Sequence, residues 1–173
     1  MTTQWTSLLT SDQFLAYAGQ PYTLDPFAAP ATPPWDDVVI FGGDRAALQC
    51  ADEAVRLGIG RITCYLPCRL NEISRLLEEQ SLTGIERIRF IDLVLPVGFI
   101  ENAYGSVSAI RCVHLRPAGW GQSQPLQPLV HSPFIVRASG IILDPGTLAG
   151  PTTCPFSLPG NLAHPTVSGR QIA

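Results

Sequence analysis

Asp37-Val38-Val39-Ile40-Phe41-Gly42-Gly43-Asp44 is the stretch on which the fold turns. Four apolar residues in a row, stopped by two glycines, read as a strand buried on both faces. Asp44 then opens a helix whose apolar side is Ala46, Ala47, Cys50, Ala51, Ala54, Val55 and Leu57, with Gly58 as its stop. Outward from there the alternation repeats. Arg61 to Leu66 reads as a second strand closed by Pro67. Glu72 to Gln80 is a helix with Ile73, Leu76 and Leu77 on one face, and Glu86 to Ile91 is a third strand. Strand–helix–strand–helix–strand is the doubly wound unit with a parallel sheet.

Beyond Ile91 the pattern changes to turn-separated β segments: Leu93 to Glu101, Gly105 to Leu115 and Leu129 to Ala138. Asn102-Ala103-Tyr104-Gly105 suits a hairpin loop between the first two, and residues 119–127 read as a Gly/Gln/Pro loop. Gly140 to Leu143 is a further buried strand, cut off by Pro145-Gly146. The expected fold class is therefore α/β: a Rossmann-like three-layer domain, with a short parallel sheet, two crossover helices and an inserted three-stranded antiparallel meander.

Sixteen prolines divide the chain, five of them within the first 34 residues and four in the tail. The expected organisation is a proline-rich arm over 1–36, a folded centre over 37–146 and a second proline-rich arm over 147–173. In the first arm, Ser11 to Ala18 offers a short helix with Phe14, Leu15 and Ala18 on one face. Both arms carry large apolar groups, among them Trp5, Tyr22, Phe27, Trp35, Phe156 and Leu158. Flexible linkers are polar and Ser/Gly-rich, so these arms are expected to lie against a core, their own or a partner's. Trp120, in a Gly-Trp-Gly loop, is a further candidate for partner contact.

Composition narrows the function classes. In 173 residues only 14% are charged, against roughly 25% in an average soluble domain. All eleven basic residues are arginine, and the net charge is -3. With no basic run, nucleic acid is disfavoured as a partner. No apolar stretch approaches the roughly 20 residues of a membrane span, and the start lacks the charged-then-apolar pattern of a secretory signal. A cytoplasmic chain with an apolar surface seeking cover is the expectation. The five cysteines are scattered. Cys64 and Cys68 form a C-x3-C pair without a second pair to complete four metal ligands, and buried structural thiols are the expectation. His114, His131 and His164 are far apart in sequence, and no Ser-His-Asp set is recognisable.

The order of these segments resembles the pyridine-nucleotide domain of flavoprotein oxidoreductases of the glutamate synthase small-subunit type. Val39 to Cys50 is similar to the family's V-I-G-G-G-D-T-A-x-D-C segment. Arg56-Leu57-Gly58 matches its R-x-G pair, Ile62-Thr63-Cys64-Tyr65 its V-T-C-x-Y strand, and Gly105 to Cys112 its G-x-V-x-G-I-R-C strand. The resemblance implies an NADPH or NADH site over Gly42, Gly43, Asp44, Arg45 and Ala46, with Arg69 near the ribose end. Two departures stand out. Aligned on Asp44, the first fingerprint glycine is Phe41, which either pushes the loop outward or fills part of the phosphate site; a Phe41→Gly variant that gains binding the parent lacks would support a decayed site. The family's Arg pair after the second strand is Leu66-Pro67 here.

No FAD fingerprint accompanies the domain, so no FAD is expected in this chain. Two functions follow from the resemblance. One is an accessory subunit of a multi-subunit oxidoreductase complex: a degenerate NAD(P)H-binding domain with a structural or docking role, whose partners include a flavin- or iron–sulfur-carrying chain. The other is a working NAD(P)H-binding subunit that passes hydride to FAD on another chain.

Overall fold

The computed structural model describes residues 6–19, 33–119 and 125–148. Trp5, Tyr22, Phe27, Trp120, Cys154, Phe156, Leu158 and His164 lie outside the described residues.

The apolar run Asp37–Phe41 is a strand (β2) with its last four residues buried. Its side chains alternate as a strand requires. Val38 and Ile40 enter one core with the helices, and Val39 and Phe41 enter a second core on the opposite face. Arg45–Arg56 (α2) follows, with Asp44 Oδ1 accepting the Ala47 N–H at 2.9 Å as the N-cap. The helix ends where Gly58 takes a φ of +78°, a left-handed conformation costly for other residues. Arg61–Tyr65 (β3), Leu70–Gln80 (α3) and Ile88–Ile91 (β4) complete the alternation.

The antiparallel part begins with Val94–Glu101 (β5) and Val107–Pro117 (β6), paired as a hairpin. Asn102 closes it: its Oδ1 accepts the Tyr104 and Ser106 N–H groups, and Gly105 supplies a φ of +75°. Phe134–Arg137 (β8) pairs with β6 on the side away from β5. Gly140–Leu143 (β9) then returns to the parallel sheet beside β2, followed by the short helix Pro145–Leu148 (α4). The layers are therefore helices, a five-stranded parallel sheet, and an antiparallel sheet, in a Rossmann-like α/β fold.

Several elements depart from the sequence expectation. Leu8–Thr10 (β1) pairs in parallel with β9, which makes part of the expected N-terminal arm the edge strand of the main sheet. The helix expected at Ser11–Ala18 (α1) follows at once, with a reciprocal capping box between Thr10 and Gln13. Its Phe14 is fully buried, and Trp35 stacks on it with ring centroids 6.0 Å apart. These arm residues cover the chain's own core. Residues 85–87 form a 3-10 turn instead of the start of β4, because Gly84 at φ +69° lets the Arg87 N–H reach the Gly84 carbonyl.

The antiparallel sheet has a fourth strand, Leu126–Pro128 (β7), against the end of β6, overlapping the end of the stretch read as a loop. Leu129 to Pro133, read as strand, is a turn in which Ser132 N–H donates to the Leu129 carbonyl. Among the described residues, no helix is long and apolar enough to cross a membrane.

Candidate functional site

In a parallel sheet, loops leaving the carboxyl ends of neighbouring strands that diverge in topology leave a crevice where ligands bind. Here β2 connects onward to β3 on one side and has β9 on the other. The crevice end is therefore built from the β2–α2 turn (Gly42, Gly43, Asp44) and the β9–α4 turn (Asp144 to Thr147). The loop before α3, carrying Cys68 and Arg69, flanks it.

The two glycines are needed by close packing. Gly42 has a φ of +156°, and a Cβ on it would lie 2.7 Å from the Asp144 Cβ and 2.8 Å from the Ala47 Cβ. Gly43 faces the other flank. A Cβ there would sit 3.1 Å from the Cys68 Sγ and 3.6 Å from Ile73. So the space into which a side chain at Gly43 would point is already bordered by a thiol and an isoleucine. Phe41 does not fill the space at the glycine turn. Its ring is fully buried on the antiparallel-sheet side and stacks on Tyr65, centroids 5.1 Å apart.

The charges at this end run the wrong way for a phosphate. Asp144 is buried, its Oδ1 accepts from Ser11 Oγ at 3.2 Å, and its own N–H donates to the Phe41 carbonyl. Burial raises its carboxyl above the ordinary range, and the neighbouring Asp44 carboxylate raises it further, against the hydrogen bonds from Ser11 and the Gly146 and Thr147 backbone. Arg45 pairs with Glu79 at 3.6 Å, and Arg69 with Glu72 at 3.6 Å. Ala46 is half-buried on the first turn of α2.

The structure thus brings Gly42, Gly43, Asp44, Arg45, Ala46 and Arg69 to one end of the sheet. It adds Asp144, Cys68, Ser11 and Thr147, none of which the sequence assigned to this site. Asp144 was legible only as part of an Asp-Pro-Gly stop.

Burial raises the four described thiols by the same physics. Desolvation pushes Cys64 and Cys112 up to about 12 and Cys68 up to about 11, and raises Cys50 further still. Among the described residues no group of three His, Cys, Asp or Glu is placed to hold a metal. His114 is an exposed residue stacked on Phe134.

The sequence matches no family model and no curated protein. Among solved structures, it is similar to Mycobacterium tuberculosis FprA in complex with NADPH, at 12% identity and a TM-score of 0.41, over 63% of this chain and 38% of that one. It is also similar to the lysine monooxygenase NbtG from Nocardia farcinica, described for its NADPH domain conformation (12%, TM-score 0.43, 82% of this chain and 36% of that one). A third is an FAD-dependent pyridine nucleotide-disulphide oxidoreductase from Desulfovibrio vulgaris (12%, TM-score 0.44, 79% and 29%). The chain spans less than two-fifths of the length of each.

Proposed function

We propose that this chain is an accessory subunit of a multi-subunit oxidoreductase complex, in which a degenerate NAD(P)H-binding domain has a structural or docking role. The observation that carries the reading is the state of the glycine turn. A dinucleotide site needs an open face over the second glycine and unopposed N–H groups at the helix start. Here Cys68 and Ile73 lie where a side chain on the second glycine would point, and Asp44 already holds an N–H of the first turn. The buried Asp144 adds a second carboxyl. The nearest arginines are committed to Glu79 and Glu72. The partners proposed are the other subunits of such a complex, including a flavin- or iron–sulfur-carrying chain.

The second reading, an NAD(P)H-binding subunit that passes hydride to FAD on another chain, is favoured by one observation. Gly42 and Gly43 still lead into the N-terminus of a twelve-residue helix at the switch point of the sheet. Calorimetry with NADPH and NADH separates the two. The docking reading expects no binding tighter than about 1 mM, and micromolar binding overturns it. Phe41→Gly is expected to restore nothing, because it removes a core ring at a cost of about 3–5 kcal/mol. Mild crosslinking and purification of the tagged chain from its native host tests the subunit itself. A redox-cofactor chain at fixed stoichiometry is expected; a monodisperse monomer is the contrary result.

A further inference from the structure

A cavity of about 490 Å³ opens at the other end of the sheet, on the face of β3 that the antiparallel layer leaves bare. Side chains on that face of the sheet follow from strand alternation. Ile62 and Cys64 point to the helices, which leaves Arg61, Thr63 and Tyr65 on the opposite side, with Arg89 next to them on β4. Arg87 and Arg137 also line the cavity, so it holds four of the chain's eleven arginines in a protein of net charge -3. Its one carboxylate is Asp37. That group is spoken for by hydrogen bonds from the Ser139 N–H and Oγ and by an ion pair with Arg61 at 3.7 Å. Arg87, Arg89 and Arg137 are exposed, and none has an ion-pair partner among the described residues.

The second wall is β8. All four of its residues line the cavity. The strand pairs with β6 along one edge and with no other strand among the described residues. An unpaired edge carries a row of N–H and C=O groups ready to accept another strand. Ile135, 52% exposed, sits on it as an apolar contact.

We propose that this groove takes an extended acidic segment of a partner protein, added as a strand to β8 with its carboxylates on Arg89 and Arg87. A small phosphorylated ligand would meet the guanidinium groups but would leave the strand edge and Ile135 unused. An extended chain uses all of them. Phe134 and Val136 turn into the core between the sheets, so Ile135 and Arg137 lie on the outer face of β8. A segment with Asp or Glu at every second position therefore puts its charges on Arg89 and Arg87 and its other side chains on the outer face beside Ile135. Main-chain bonds supply affinity in such strand addition, and the charge pattern supplies selectivity. The inference rests on the docking reading above and gives it a surface.

The test uses the full-length chain and the peptide Glu-Val-Glu-Val-Glu-Val-Glu-amide carrying fluorescein on its N-terminal amine through a Gly-Gly spacer, with the Lys-for-Glu peptide labelled the same way as control. Anisotropy at low salt is expected to show binding of the Glu peptide and none of the Lys peptide. The Arg87→Glu/Arg89→Glu variant, both exposed positions, should weaken it by roughly tenfold or more. Hydrogen exchange should show the amides of residues 134–137 protected when the peptide is bound. The proposal is overturned if the Glu peptide does not bind, or if charge reversal leaves its affinity unchanged. It is also overturned if tripolyphosphate displaces the peptide and the residue 134–137 amides show no protection, which would make the groove a small-anion site. Nucleotide calorimetry probes the opposite end of the sheet, so failure of the docking reading and failure of the groove are separate results.

Discussion

Truncating Phe14 to alanine tests whether the N-terminal segment is part of the core or an appendage to it. Phe14 sits on α1 with no exposed surface, and its ring stacks at 15° on Trp35. Trp35 in turn lies flat on β9: a Cβ on Gly140 would come within 2.2 Å of the indole. The three residues form a continuous contact from α1 to the parallel sheet. Phe→Ala in such a place removes the transfer energy of the ring and leaves a cavity, about 3–5 kcal/mol together. About 0.5–1.5 kcal/mol of that belongs to the aromatic pair. Against a total stability on the order of 5–15 kcal/mol, the loss is a large share.

With a urea m-value of about 2 kcal/mol/M, the midpoint should fall by about 1.5–2.5 M. A double-mutant cycle with Trp35→Ala should return a coupling of about 0.5–1.5 kcal/mol. If Phe14→Ala costs less than about 1 kcal/mol, as an ordinary surface change does, the segment is not integral. If the two losses simply add, the Phe14–Trp35 contact contributes nothing and the reasoning fails.

Gly140→Ala should cost about 3 kcal/mol or more, since the new methyl meets a rigid indole; in a Trp35→Leu background most of that cost should vanish, as urea melts of both would show. Asp144→Asn should gain stability over the parent as pH rises. Burial and Asp44 raise the folded-state pKa of Asp144. Its contribution is therefore full below the unfolded value near about 3.9 and is lost as pH climbs through the folded value. Parity near pH 3 and a growing advantage toward pH 7 are expected from melts across that range; an opposite slope contradicts the burial argument. In a Cys154→Ser chain, thiol titration with a chromogenic disulfide at pH 7.5 should find no fast-reacting group, and slow labelling at half-buried Cys68 alone. Fast labelling of a second thiol would contradict the packing.

Where the signal was local, the sequence carried it. Val38 to Phe41 are apolar without a break, and the strand proved buried on both sides by two different cores. Asp44 and Gly58 marked the limits of α2 because capping and left-handed turns depend on one residue each. Three-residue strands carry too little pattern to read. β1 forms because Leu8 to Thr10 finds Ile141 to Leu143, more than a hundred residues away, and nothing in Leu-Leu-Thr announces that partner. β7 hid behind its prolines for the same reason: a proline at the strand end still has a carbonyl to offer, and the partner at Leu115 decides.

The site shows the same limit more sharply, because glycine says only that a side chain would not fit. Gly42 and Gly43 read alike whether the space is kept for a phosphate or taken by the protein. The groups that take it, Asp144 and Cys68, come from the ends of other strands. Once they are placed, the charges decide the rest. The carboxyl end of the sheet gathers Asp44 and the buried Asp144, while its arginines are paired off with Glu79 and Glu72. Three arginines without ion-pair partners among the described residues stand along the groove beside β8. Unpaired charges set the field that an approaching anion meets, and paired ones cancel within a few ångströms. On this field, the acidic segment proposed for the groove would meet its arginines there, and the glycine turn, with its two carboxyls, is the end it would avoid.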